Sequence, residues 1–359
     1  MCERRLLSGT IVALLVLWSV TVAPADITSL SGSVAATVHE FRVGGQGNVD
    51  QASDSYPGTS ELPLQVVARL ISESPDEAAG MAAAQFADPT ELNQPNPEEF
   101  AINLTLDSIS ANIRYTGEAT SQEMRTVLFG EAELGQPAGT SVALVGRLFL
   151  DGVLVVFSVA PDRDLTGAYV CLRVTVVQQV TGQEDQTVFS GSVELSGGPG
   201  GTSTTASSGQ FPTASLILTD LSVLPDSYGV LYMLVLPDLA IDYDYQATVG
   251  EAFTLQATVE VEAGNLADGV GVVALLGTPT DTFEEVVTLT QGQAAAAKLL
   301  STIEKERDEP SGQLAFPDQS TFAPPLFGLC GTFGLEAAVG LFALFGLKFA
   351  GRRWSGLRG

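Results

Sequence analysis

Apolar and polar residues alternate with a period of two through much of this chain, the signature of strands with one face on a core and the other in water. The stretch 253–262, Phe-Thr-Leu-Gln-Ala-Thr-Val-Glu-Val-Glu, is the clearest case. Similar runs, or short apolar runs rich in β-branched residues, occupy 33–41, 64–70, 100–113, 142–150, 153–159, 169–180, 187–195, 214–224, 229–236, 247–263 and 270–276. Asp151-Gly152, set between two of these runs, predicts a tight hairpin, because both residues of such a turn must tolerate positive φ. A further turn is predicted at 181–185, Thr-Gly-Gln-Glu-Asp.

Two segments depart from the period of two. Pro75 to Phe86, with Asp76 and Glu77 in its first turn, predicts a short surface helix. Thr282-Phe-Glu-Glu285 forms a capping box, and 291–307 is Ala-rich with late Lys and Arg, a helix that closes the body before Pro310. The expected fold is mainly β, a jelly-roll-like β-sandwich with two short helices. The Gly/Ser/Thr-rich stretch 196–210 predicts a long loop between strands, and a two-domain split at that point is the alternative.

The ends follow other rules. Arg4 and Arg5 precede an apolar run that ends in Ala23-Pro24-Ala25, so 1–25 reads as a signal peptide cut after Ala25. Cys2 lies before that run, so it is not a lipoprotein cysteine. The body is then 26–307, followed by a polar, Pro-containing stalk at 308–325. Residues 326–351 carry only Glu336 and Lys348 as charges within an otherwise apolar stretch and predict a C-terminal transmembrane helix. Arg352, Arg353 and Arg358 mark 352–359 as a basic cytoplasmic tail.

Cys330-Gly331, the Gly/Leu/Phe-rich helix and Arg352-Arg353 together resemble the tripartite C-terminal sorting tails of bacterial exported surface proteins, as a Cys-Gly variant of the PEP-CTERM-like kind. The resemblance is confined to the last part of the chain, which has no Pro-Glu-Pro, Gly-Gly or LPxTG motif. It implies recognition by the export and sorting machinery of the inner membrane, processing near Cys330, and transfer to the cell surface or an extracellular matrix. It implies no particular activity, because such tails serve many unrelated bodies.

Charge narrows the partners. The 359 residues hold 42 Asp+Glu against 16 Lys+Arg, a net charge of −26, while 45% of residues are hydrophobic. A disordered acidic tail needs low hydrophobicity as well, so a packed core is expected. Residues 26–325 keep 40 of the acids and 10 of the bases, a surface that repels phosphate and excludes nucleic acid as a partner. A polysaccharide or matrix partner remains compatible with it.

Catalytic chemistry has little to draw on. His39 is the single histidine, it alternates with Val38 in a predicted strand, and no Gly-x-Ser-x-Gly elbow is present. One His and two cysteines after signal removal fall short of a zinc ligand set, and Cys171 reads as a buried free thiol. Calcium has more to offer, since it takes carboxylate, carbonyl and amide oxygens. Asn48, Asp50 and Asp54 supply such oxygens in a segment expected to loop between strands, although Ala52 breaks the EF-hand spacing. Asp242 and Asp244 form a second candidate pair, and a turn accounts for Asp162 and Asp164. Tyr243 and Tyr245 are candidates for stacking on sugars. The expected function is structural or interactive, without catalysis or an obligatory cofactor. The alternatives are a carbohydrate-binding or calcium-assisted adhesion module and, third, a glycosidase-like enzyme with two working carboxylates.

Overall fold

The computed structural model describes residues 26–58, 62–72, 78–86, 100–158, 163–213, 216–220, 229–277 and 281–306. The predicted signal peptide with Ala23 and Ala25, the predicted stalk, the helix predicted at 326–351, and Cys330, Gly331, Arg352 and Arg353 lie outside these residues. Among the described residues no helix is long and apolar enough to cross a membrane.

Two antiparallel sheets of seven strands each make a β-sandwich. In chain order the strands are β1 (Asp26–Arg42), β2 (Val49–Tyr56), β3 (Leu64–Ser72), β4 (Ala78–Phe86), β5 (Phe100–Ser108), β6 (Ile113–Leu128), β7 (Ser141–Ser158), β8 (Ala168–Val180), β9 (Gln186–Gly197), β10 (Ser203–Gly209), β11 (Ile217–Asp220), β12 (Val230–Thr248), β13 (Ala252–Asn265) and β14 (Gly271–Leu276). The short helix α1 (Glu131–Leu134) joins β6 to β7, and the hairpin of α2 (Asp281–Gln291) and α3 (Gln293–Glu306) follows β14. Sheet A runs β10-β9-β8-β13-β6-β1-β2, and sheet B runs β11-β12-β7-β14-β5-β4-β3. The sheets stack so that β2 faces β3, β1 faces β4 and β5 faces β6. In this half of the sandwich strands therefore cover partners close in sequence, whereas β13 also reaches β5.

Alternation decides which side chains enter the core. On β13 Phe253, Leu255, Ala257, Val259 and Val261 point inward, while Thr254, Gln256, Thr258, Glu260 and Glu262 point out. On β12 the inward set changes parity, from Tyr232, Leu234 and Leu236 to Leu239, Ile241, Tyr243 and Tyr245. The change is made by one extra residue: Leu236 pairs with Gly152, but Leu239 pairs with Leu150. A bulge there keeps the apolar face on the core, and Pro237 tolerates the site because a bulge needs no ladder donor from it.

Where the helical hairpin sits, sheet B is buried on both sides. Val153, Val155 and Phe157 of β7, Leu231, Met233 and Val235 of β12, and Val273 and Leu275 of β14 point away from the main core. They pack against Phe283, Val287, Ala296, Leu299 and Ile303 of the α2–α3 hairpin. Burial on both faces is why β14, Gly-Val-Val-Ala-Leu-Leu, reads as an unbroken apolar run.

Four expectations need correction. Residues 78–86 form strand β4 and not a helix, since β4 lies between β3 and β5 with Ala82 on the core and Ala79 and Met81 against Val286 of α2. Small alanines suit that double burial, and their helix propensity yields to it. Asp151-Gly152 is not a hairpin but the middle of the continuous strand β7. Gly152 is needed for close approach, because a Cβ there would come within 2.4 Å of the Leu275 carbonyl oxygen. The stretch 196–210 is no open loop or linker: it holds the end of β9, a 3-10 turn at Pro199–Gly201 and edge strand β10 paired to β9. Finally, 49–56 is strand β2, paired with β1, rather than a ligand loop.

Candidate functional site

The outer faces of the two sheets differ. Helices cover much of sheet B, and the outward side of sheet A carries hydroxyl, amide and charged side chains. Across its middle, Ser33 Oγ donates to Gln122 Oε1 at 3.2 Å and Gln122 Nε2 donates to Thr258 Oγ1 at 3.3 Å. Thr126 and Thr254 share a hydrogen bond of 2.9 Å between their hydroxyls. Strand register dictates these contacts, since Ser33, Gln122 and Thr258 stand directly opposite one another on β1, β6 and β13.

The one concentrated charge group on this face centres on Arg173 of β8. Its guanidinium pairs with Glu260 and, at 2.8 Å, with Glu262 of β13, and Tyr169 donates to Glu262 at 2.9 Å. Those two hydrogen bonds hold the Arg173 guanidinium above its ordinary range. Burial first, and Glu262 second, pushes the Tyr169 phenol up to about 12. Burial likewise raises the Cys171 thiol, which makes it a poor nucleophile. The Tyr169 ring lies over Gly264, where a Cβ would meet it at 2.6 Å.

The calcium candidates do not converge. Asp50 and Asp54 stand on β2 about 13 Å apart by strand rise. Asp50 accepts a hydrogen bond from the Arg69 backbone N–H at 2.7 Å, and Asp54 accepts one from Ser55 N–H at 2.8 Å. The Asn48 amide donates to Glu40 Oε1 at 2.9 Å, beside the Glu40–Arg42 pair. Asp242 and Asp244 belong to β12 in the other sheet. Arg147 grips Asp242 through Nε and Nη2 and holds its carboxyl below the usual range. Among the described residues no group of three or more His, Cys, Asp or Glu side chains is gathered as a metal ion requires. His39 sits exposed on β1, with Thr116 opposite.

Tyr243 and Tyr245 face inward, contrary to a sugar-stacking role. Tyr243 covers Gly146 of β7, and Tyr245 packs 5.7 Å from Phe253, centroid to centroid.

Two buried polar groups went unseen in the sequence. Between the sheets, Glu123 and Arg125 of β6 form an ion pair on the same inward face as Ile113, Tyr115, Ala119 and Val127. Burial pushes the Glu123 carboxyl up to about 7 against the pull of Arg125. Beneath the helices, Asp107 of β5 accepts hydrogen bonds from Thr290 Oγ1 and, at 2.9 Å, from Gln291 Nε2 of α2. Burial raises it to about 6 although those bonds favour the charged form. The two carboxyls lie on opposite sides of sheet B, so they do not compose an acid–base pair. A signal existed for the Glu123–Arg125 pair alone: both occupy the apolar parity of their strand.

No protein family model matches the chain, and no curated protein matches it. Solved structures give faint likenesses. A structure titled for the promiscuous specificity of carbohydrate-binding modules from the β-sandwich superfamily shares 9% identity, with 67% of this chain and 83% of that chain covered and a TM-score of 0.12. The infectious bursal disease virus Gt strain shares 12% identity over 70% of this chain and 81% of that one, with a TM-score of 0.09. The VP2 subviral particle of the same virus shares 10% over 79% and 73%, also at 0.09. Scores this low carry no inference about this chain's activity, and the two-sheet architecture stands on its own register.

Proposed function

We propose that this chain is an exported protein of the bacterial envelope that displays a β-sandwich and works by contact rather than catalysis. The observation that carries the reading is the asymmetry of the sandwich, with one sheet capped by a helical hairpin and the other presenting a broad polar face. A face of that kind suits association with a hydrated surface or matrix, where hydrogen bonds and charge matter more than apolar area. The facing of β1 with β4 and of β2 with β3 supports a jelly-roll-like winding of the chain. Export is supported by Arg4, Arg5 and Ala23-Pro24-Ala25, and sorting by Cys330-Gly331 with Arg352 and Arg353.

Expression of the full chain in a Gram-negative host tests both parts of this reading. N-terminal sequencing should give Asp26 as the first residue, and protease added to intact cells should digest the body. A chain that keeps Met1 and stays protected in the cytosol overturns the reading.

A further inference from the structure

At the end of the sandwich where β7 begins and β12 ends, a cavity of about 240 Å³ opens between the sheets. Four glutamines line it: Gln178 of β8, Gln183 of the β8–β9 turn, Gln186 at the start of β9, and Gln246 of β12. Their amides are only partly used. Gln178 is buried and donates its Nε2 to the Gln246 backbone carbonyl, while Gln246 Oε1 accepts from Ser141 Oγ at 2.9 Å. Among the described residues, Gln178 Oε1, Gln246 Nε2 and the whole amides of exposed Gln183 and Gln186 have no hydrogen-bond partner. Phe253 supplies an apolar wall, fixed by its packing on Phe129 and Tyr245.

The charge of the lining is as informative as its amides. In a chain of net charge −26, this cavity contains one carboxylate, exposed Glu251, and no basic residue. An anionic ligand would find no cation to pair with, and a metal ion would meet amide donors as well as acceptors. Gln183 and Gln186 each offer a donor and an acceptor side by side, the complement of two vicinal hydroxyls, Gln178 adds an acceptor and Gln246 a donor, and an apolar wall suits the C–H face of a ring. The volume lies below the roughly 300 Å³ at which drug-sized pockets begin, so it holds one ring rather than a chain.

We propose that this cavity is a binding site for one neutral pyranose unit of a saccharide. The buried Gln178 and Gln246 orient the ring, and Gln183 and Gln186 close over it from the turn and the start of β9. Binding here is a property of the folded body and stands apart from the route by which the chain is exported.

The test titrates the detergent-solubilised full chain by calorimetry with D-glucose, D-galactose, D-mannose and N-acetyl-D-glucosamine, each up to about 20 mM, and with D-glucuronate as the charged control. At least one neutral sugar should saturate with a Kd of about 1 mM, and glucuronate should bind at least tenfold more weakly. The double variant Gln183→Ala/Gln186→Ala, altered only at exposed positions, should keep the wild-type Tm and lose at least tenfold in affinity. Absence of saturation by all four sugars overturns the proposal. So does undiminished binding by the variant, or binding of glucuronate as tight as that of the neutral sugars.

Discussion

Thr290, near the end of α2, donates its hydroxyl to the carboxylate of Asp107, 183 residues earlier on β5. With Gln291, and with the ion pair between Arg69 of β3 and Glu285 of α2, it adds polar fastening to a helical hairpin that apolar contacts hold on sheet B. The Asp107 carboxyl is fully buried, and its other oxygen, Oδ1, has no partner among the described residues.

That arrangement makes stability depend on pH in a defined direction. Burial raises Asp107 from 3.8 in the unfolded chain to about 6 in the fold, so the folded state binds this proton more tightly. Its favourable contribution is complete below about pH 4, is lost as pH rises through 6, and amounts to about 3 kcal/mol. Asp107→Asn removes the titration. Urea unfolding should show the variant more stable than wild type at pH 7 by about 1–3 kcal/mol, with the advantage gone at pH 4. A variant less stable at pH 7 would mean that the charged form is the better fastener.

The Glu123–Arg125 pair behaves differently, because each charge is the other's compensation inside the core. Arg125→Leu alone should cost about 3–5 kcal/mol by stranding the Glu123 carboxylate. Glu123→Leu/Arg125→Leu together should recover most of that loss, since an apolar pair needs no desolvation. Chemical denaturation of the two variants checks the order. Equal losses in both would show that Arg125 serves the core through its packing.

Much of the architecture was legible because one rule, alternation, governs strands with a single wet face. It located β8 and β9 to within about two residues, whereas the run 247–263 joined the end of β12 to β13 across the turn at 249–251. Where a second layer covers the outer face the rule has no polar half to read, which is why the alanines of β4 passed for a helix. Asp107 was hidden for the converse reason: Asn103, Thr105 and Asp107 alternate with Ile102, Leu104 and Leu106 like a solvent face, yet the docking of α2 buries them. Asp151-Gly152 has the residues of a turn, yet Gly152 serves the approach of β14. The open face of sheet A follows from parity, whereas the glutamine cavity joins turns that no local pattern brings together.

Calcium should leave the fold unchanged. The acids that met its chemistry in sequence are spread over two sheets, and Asp50, Asp54 and Asp242 are already engaged by Arg69 N–H, Ser55 N–H and Arg147. A ligand specific for the native state must raise Tm by mass action. Scans in EDTA and in millimolar Ca²⁺ should therefore superpose, and Asp50→Asn should cost less than about 1 kcal/mol, the worth of one partly exposed hydrogen bond. A Ca²⁺-dependent rise in Tm that Asp50→Asn or Asp242→Asn abolishes would restore the metal site.

The bulge on β12 offers the sharpest test of how parity specifies this sandwich. Leu236 and Leu239 are both buried on the core side, though their spacing of three places them on opposite faces of a regular strand. Deleting both Pro237 and Asp238 removes one residue more than the bulge absorbs and turns Leu239, Ile241, Tyr243 and Tyr245 outward, a one-residue slip for the whole lower half of the strand. Such a chain should lose the near-ultraviolet circular dichroism of its packed tyrosines and fail to unfold cooperatively. Pro237→Ala preserves the count and should fold with a change of less than about 1 kcal/mol. If the deletion folds as well as the alanine variant, register in this sheet is set by the β7–β12 pairing above and below the bulge and not by residue parity.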